Sequence, residues 1–160
     1  VSNQYLDALS AVATGVTVVT VADGRDDIGA TVTAFGSVSA EPAVISVNVD
    51  SSGYMAEVLE EVGAFAVNVL GSSQKALAGR FAAAGRPSAR LLVANQPHTR
   101  GERTGALVLE EALVALECRV RHTVEVGDHM VFFADVIGLP GVNGHGSALV
   151  RRAGRYQSMD

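Results

Sequence analysis

Cysteine, tryptophan and positive charge are scarce in this 160-residue sequence. A single cysteine, Cys118, cannot close an internal disulfide, and it excludes a cysteine-rich zinc site. Tryptophan is absent and aromatics make up 5% of the chain, too few for a platform on which bases stack. Lys plus Arg total 12 against 17 Asp plus Glu, a net charge of -5, whereas a nucleic-acid binder needs a basic surface. No apolar run approaches the roughly 20 residues of a membrane-spanning helix, because Gly, Thr, Ser and charges interrupt each one. The N-terminus lacks the basic-then-apolar layout of a signal peptide. What remains is 48% hydrophobic and 18% charged, a globular composition at a length that suits one domain. These features predict a soluble, cytoplasmic protein with a single domain over residues 1–160 and neither nucleic acid nor membrane as partner.

Periodicity supplies the elements. Residues 3 to 14 read as a short amphipathic helix through Tyr5, Leu9 and Val12, ended by Gly15. Val16 to Val21 is dense in β-branched residues and reads as a strand. Asp23-Gly24 then turns the chain into an antiparallel strand at about 28 to 38, and Glu41-Pro42 breaks it before a third strand at 43 to 49. Two short helices follow, at 54 to 62 with Met55, Val58, Leu59 and Val62 on one stripe, and at 73 to 84 with Ser72 or Ser73 as cap. A strand at 64 to 70 separates them. Residues 85 to 105 form a long connection, and long strands return at 112 to 126 and 130 to 138 around Gly127-Asp128. The strands mostly lack the intervening helices of a βαβ unit. The pattern predicts a mainly β protein, an antiparallel barrel with small helices outside.

Side-chain catalysts are thinly supplied. The histidines at 98, 122, 129 and 145 lack a His-x-x-x-His spacing, so no metal site is predicted, and no Gly-x-Ser-x-Gly elbow or phosphate loop occurs. Cys118 sits in a strand pattern and reads as a buried core residue. What is present is a set of small donors near element ends. Gly29 to Ser39 alternates Thr or Ser with apolar residues, which suits either a half-buried edge strand or a strand whose hydroxyls face a ligand. Gly29 and Gly36 within it favour close approach of a backbone or ligand. Asp50-Ser51-Ser52-Gly53 precedes a helix, where Ser51 or Ser52 either caps or joins an anion site. Arg80, beside Phe81, is either solvated or a phosphate contact.

The order of these segments carries more than any one of them. Ala13 to Thr20, Gly29 to Ser39 with Glu41-Pro42, Phe65 to Leu70, Arg80-Phe81-Ala82, Leu116 to Val120, Gly127-Asp128-His129 and Gly154-Arg155-Tyr156 together resemble the flavin reductase family. These are the short NAD(P)H:flavin oxidoreductases of two-component flavin monooxygenases. The resemblance implies an antiparallel, Greek-key split β-barrel, a homodimer, and a flavin near the dimer interface. Carried over residue by residue, it places Thr31, Val32, Thr33 and Ala34 against the isoalloxazine ring. Ser37 and Ser39 with Arg80 and Phe81 would hold the phosphate end, and Asn48, Val49, Asp50 and Ser51 the ribityl and pyrophosphate region. His129 and Tyr156 match positions on the nicotinamide side. The chain departs from the family pattern at Pro42-Ala43, at Thr33-Ala34 and in the aromatic-poor segment from Gly85 to Gly105, where no site residue is assigned.

The implied reaction is hydride transfer from NADH, or NADPH, to FAD or FMN, with FAD placed ahead of FMN and reduced flavin released to a partner monooxygenase. Both reactive centres then belong to the small molecules, which suits a chain poor in catalytic side chains. His129 would contact the nicotinamide or supply a proton, or it is a solvated turn-end histidine. Tyr156 would stack or simply cover the barrel, and Arg119 and Arg121 are candidates for a 2'-phosphate. Two other readings remain open. One is a flavin- or deazaflavin-dependent oxidoreductase that keeps its cofactor and acts on another substrate. The other is a flavin- or ligand-binding barrel without turnover.

Overall fold

The computed structural model describes residues 2–144 and 146–160; Val1 and one of the four histidines, His145, lie outside the described residues. The chain opens with α1 (Ser2–Leu9), none of whose residues is buried, and a two-residue strand β1 (Thr14–Gly15). The helix is shorter than the apolar spacing suggests, because Ser10 folds its hydroxyl back onto the Asp7 carbonyl at 2.6 Å. Then β2 (Thr17–Ala22) and β3 (Asp27–Val32) pair across the Asp23–Asp26 turn, where Gly24 takes φ 84. β4 (Phe35–Ser39) and β5 (Val44–Asp50) form the next antiparallel pair. α2 (Tyr54–Val62) buries Met55, Val58 and Leu59 and stops at Gly63, which takes φ 72. β6 (Ala64–Val69) leads to a 3-10 turn at Ser72–Gln74 and α3 (Lys75–Ala82). The cap at this point comes from Gln74, whose Oε1 accepts the Gly71 N–H at 2.9 Å, not from either serine.

The long connection contains structure of its own: α4 (Ala89–Leu92), and a hairpin of β7 (His98–Arg100) with β8 (Leu107–Leu109). β9 (Val114–Val126) and β10 (His129–Val142) form the longest hairpin, and β11 (Ala148–Arg152) with β12 (Arg155–Met159) close the chain beside β1.

Seven strands make one antiparallel sheet in the order β3-β2-β6-β9-β10-β5-β4. The single strand expected at 28 to 38 is split, because β3 pairs with β2 at one edge of this sheet while β4 pairs with β5 at the other. Only Thr33 and Ala34 join the two edges. Two extended residues span about 7 Å, so the sheet must roll until its edges nearly meet. The Asn48 N–H donates to the Ala34 carbonyl at 2.9 Å, which carries the β4–β5 pairing up to that link. The result is a rolled, split barrel with short helices outside it, and the split runs beside β3.

Alternation explains why β2 is buried on both faces. Val19 and Val21 point into the barrel with Val47, Leu59, Phe65, Cys118 and Phe132. Val16 and Val18 point outward into a second core with Leu77, Phe81, Leu107 and Leu149, under α3 and the terminal strands. Each such valine contributes on the order of 1.5–3 kcal/mol by leaving water. Glu117 on β9 is only 2% exposed, yet its Oε1 accepts from the amides of Arg103 and Thr104 at 3.0 and 2.9 Å and from the Thr104 hydroxyl at 2.8 Å. A side chain at Gly101 would collide with that carboxylate, which therefore clamps the β7–β8 connection to the barrel.

Candidate active site

The split opens into a cleft of about 660 Å³, within the range of small-molecule sites. One wall is the edge of β3, the Thr33–Ala34 link and the end of β5, bringing Thr31, Val32, Thr33 and Ala34 together with Asn48, Val49 and Asp50. The opposite wall is Gly85, Arg86, Pro87 and Ser88, with Tyr54 and Met55 of α2 and His129 of β10 at the rim.

The barrel wall combines the polar residues Thr31, Thr33, Asn48 and Asp50 with the backbone of the Thr33–Ala34 link. Because Thr33 and Ala34 leave the ladder, their amides find no acceptor among the described residues and remain available to a ligand. The Thr31 hydroxyl is already engaged, donating to the Ala78 carbonyl of α3 at 2.6 Å. Gly29 is required for a different reason than close ligand approach: a Cβ there would lie 2.5 Å from Phe81 Cε1 and 3.3 Å from the Ala89 methyl. At Gly36 a Cβ would meet nothing within 4 Å.

His129 begins β10 opposite Asp50 in the β5 register. Its Nδ1 lies 2.8 Å from Asp128 Oδ1, so the proton on this nitrogen is held by a carboxylate and Nε2 is the free ring nitrogen. The Asp50 carboxyl accepts from both the hydroxyl and the amide of Ser52, and these bonds, with the nearby His129, hold it below the usual carboxylate range. The same bonds explain why α2 begins without a serine cap; its N-cap is Gly53. The Ser51 N–H donates to the Asp128 carbonyl at 2.9 Å, tying the end of β5 to the turn that carries His129, but its side chain does not line the cleft.

Besides Ser51, five expected residues do not line the cleft. Phe81 has no exposed surface; its ring packs behind Gly29 and supports the cleft wall from inside. Arg80, one residue earlier on α3, is exposed and does not line the cleft. Ser37 is exposed on β4, and Ser39 faces a separate shallow apolar hollow beside Val38 and Phe133. Tyr156 pairs in register with Arg151, whose guanidinium lies 4.6 Å over its ring, so one stacking face is taken. The two strand arginines also lie elsewhere: Arg121 is 3.5 Å from Asp135 on the barrel exterior, and Arg119 is exposed.

Sequence reasoning missed the loop wall. Arg86 is half-buried there, its Nε donating to the Gly29 carbonyl at 2.6 Å and one terminal nitrogen to the Ala83 carbonyl at 3.2 Å. Desolvation holds its guanidinium below the usual arginine range. The Ser88 hydroxyl donates to the Asp27 carbonyl at 3.3 Å, and the buried Asp27 carboxylate takes a two-pronged pair from Arg100 at 2.7 and 2.9 Å. The available signal was a basic residue flanked by Gly85 and Pro87, a turn that fixes a side chain near an element end.

The site holds no cluster of metal ligands among the described residues, and Cys118, whose thiol burial pushes up to about 12, is inert inside the barrel. What the arrangement offers is a shaped slot with free amides, one histidine at the rim and one desolvated arginine.

Comparison with known proteins gives this geometry its context. Residues 9–160 match the model of the flavin reductase like domain. An NADH-dependent FMN reductase, AsuE2, of Streptomyces nodosus subsp. asukaensis is 35% identical over 156 residues, covering 98% of this chain and 84% of the relative. The reductase component of 4-hydroxyphenylacetate 3-monooxygenase from Thermus thermophilus is 35% identical over 135 residues, 84% of this chain and 79% of its own. Among solved structures, the flavin reductase component BorF of a bacterial two-component tryptophan halogenase superposes with a TM-score of 0.92 at 33% identity, covering 99% of this chain and 98% of that one. The antiparallel split barrel and its matched length leave one assignment: the chain belongs to the flavin reductase family.

Proposed function

We propose that this chain is an NADH-dependent flavin reductase that reduces FAD or FMN and releases the reduced flavin to a separate flavin-dependent monooxygenase. The observation that carries this reading is the open cleft at the barrel split, lined by Thr33 and Ala34, whose amides find no acceptor among the described residues, and holding no cluster of metal ligands among them. The small molecules supply the hydride donor, nicotinamide C4, and the acceptor, flavin N5. The chain supplies position and electrostatics. The Thr33 and Ala34 amides are fixed donors for negative charge that builds up on a reduced ring. His129, oriented through Nδ1 by Asp128, keeps Nε2 for the nicotinamide or for a proton. An open slot suits a flavin that enters and leaves as a substrate.

The protein works as a homodimer in this reading. Tyr5, Leu6, Leu9 and Val12 form an apolar stripe on and just after α1 with no surface to cover it in one chain, and Leu139 and Val142 are exposed on β10. Light scattering on the purified protein is expected to give twice the chain mass.

The decisive assay follows loss of NADH absorbance with FAD, FMN or no flavin added, beside an NADPH series. Turnover that requires added flavin and saturates with it is the expected result. Turnover without added flavin means a retained cofactor. No turnover in any pairing leaves a binding barrel or an oxidoreductase that acts on another substrate.

A further inference from the structure

The cleft is short of positive charge for a ligand that carries phosphate. Its lining includes three carboxylates, Asp26, Asp27 and Asp50, and only two basic side chains, Arg86 and His129. Arg100 is committed to Asp27, and Arg80 is outside. Among the described residues, Arg86 is therefore the one permanent cation that lines the cleft.

Its setting is that of a prepared anion receptor. Two of its five N–H groups are tied to the carbonyls of Gly29 and Ala83, which fixes the plane of the guanidinium against β3. The other three have no acceptor among the described residues, and no carboxylate pairs with this arginine among them. A half-buried charge held in place yet left without a counter-ion gains most from an anion that enters the cleft. Gly29 O, which orients the arginine, belongs to the same strand that delivers Thr31 to Ala34, so ring end and anion end are built on one edge.

We infer that Arg86 anchors a phosphate group of the nucleotide substrate in the cleft, the role the sequence pattern gives to Arg80. The inference rests on the flavin reductase reading. A phosphate ester on the flavin and the pyrophosphate of NADH share this chemistry, and the test separates them.

Purified protein is titrated with riboflavin, FMN and FAD without NADH, following quenching of flavin fluorescence; NAD+ binding is measured separately by calorimetry. Variants are Arg86→Gln, Arg86→Lys and, as control, Arg80→Gln, each checked by thermal midpoint. Arg86→Gln is expected to weaken FMN and FAD about ten- to hundredfold, the range for a charged hydrogen bond, while riboflavin changes less than about twofold. Arg86→Lys restores part of the loss, and Arg80→Gln changes none of the three. Selective loss of NAD+ affinity instead assigns the phosphate to the nicotinamide nucleotide. An equal loss for riboflavin, FMN and FAD overturns the inference, because it marks a structural role through Gly29. So does an unchanged affinity for every ligand. If Arg86→Gln does not fold, Arg86→Lys carries the same comparison, and full retention of its preference for FMN over riboflavin in wild type without salt dependence overturns it. Failure of the wild-type protein to bind any flavin sinks the reductase reading itself, a distinct result.

Discussion

The two walls of the cleft hold their shape by different means. The barrel wall is part of a ladder: Val32 is opposite Thr17, Asn48 opposite Val131, and each position is set by many cooperative neighbours. The loop wall at 85–88 has no ladder partner and depends on single side-chain bonds, Arg86 to Gly29 and Ser88 to Asp27. A sheet edge cannot be moved at one residue without loss of stability, whereas a loop held by two or three bonds can be retuned at little cost. The end proposed to hold the ring is therefore the rigid one, and the end proposed to hold the anion the adjustable one. Substitutions in the first should lower stability and flavin affinity together, and those in the second should change affinity alone.

The largest effect expected is at Gly29. In Gly29→Ala the new methyl meets a Phe81 ring that has no exposed surface and nowhere to swing. Overpacking of this kind costs about 2–3 kcal/mol, and the β3 edge that presents Thr31 to Ala34 shifts with it. Urea unfolding and flavin titration of the same variant are expected to fall together. Gly36→Ala is the matched control, since open space surrounds it, and its stability should stay within about 0.5 kcal/mol of wild type. A stable Gly29→Ala with normal flavin binding would mean that the barrel wall is as pliant as the loop.

The same contrast decides what could be read from the sequence. The barrel wall was legible because alternation and order place Thr31 to Ala34 and Asn48 to Asp50 on strand ends, and α2 was legible from its Met55, Val58, Leu59 and Val62 stripe. The break at Thr33–Ala34 was not, since the residues keep strand character and only pairing at opposite sheet edges separates β3 from β4. Arg86 was hidden because its partner Gly29 is 57 residues away. Arg80 lies outside the cleft for a local reason. Consecutive helical residues point about 100° apart, so burying Phe81 turns Arg80 toward solvent.

A smaller, pH-dependent effect tests the barrel alone. Cys118 lies in the barrel core, and burial first, then the charge of Glu117, raises its thiol to about 12 from an ordinary 9.0. Between these values the unfolded chain has lost a proton that the native chain keeps, so alkali favours unfolding. The contribution is intact below pH 9 and lost progressively from there toward pH 12, by up to about 1.4 kcal/mol per pH unit. Urea midpoints of wild type should therefore fall more steeply above pH 9 than those of Cys118→Ala, and the two slopes should agree below it. A thiol reagent at pH 8 should leave native Cys118 unmodified; rapid modification would show a barrel that opens far more readily than its ladder implies.

The smallest effect concerns the joint between the walls. Asp27 is 4% exposed, lines the cleft, and is matched by Arg100, whose side chain is 51% exposed. Removing one partner of a fully buried pair costs about 3–5 kcal/mol. Here half of the pair is in water, so Arg100→Met should cost only about 1 kcal/mol. The cost arises from leaving the Asp27 carboxylate unmatched beside the cleft, and that carboxylate also repels a phosphate held by Arg86. FMN binding is thus expected to weaken about two- to threefold while riboflavin binding is unchanged, the signature of the adjustable wall. Adding Asp27→Asn to Arg100→Met removes the unmatched charge and should recover most of both losses in a double-mutant cycle. Recovery of stability without recovery of FMN binding would place the Asp27 carboxylate out of reach of the bound phosphate, and the two walls would then meet only through the backbone of β3.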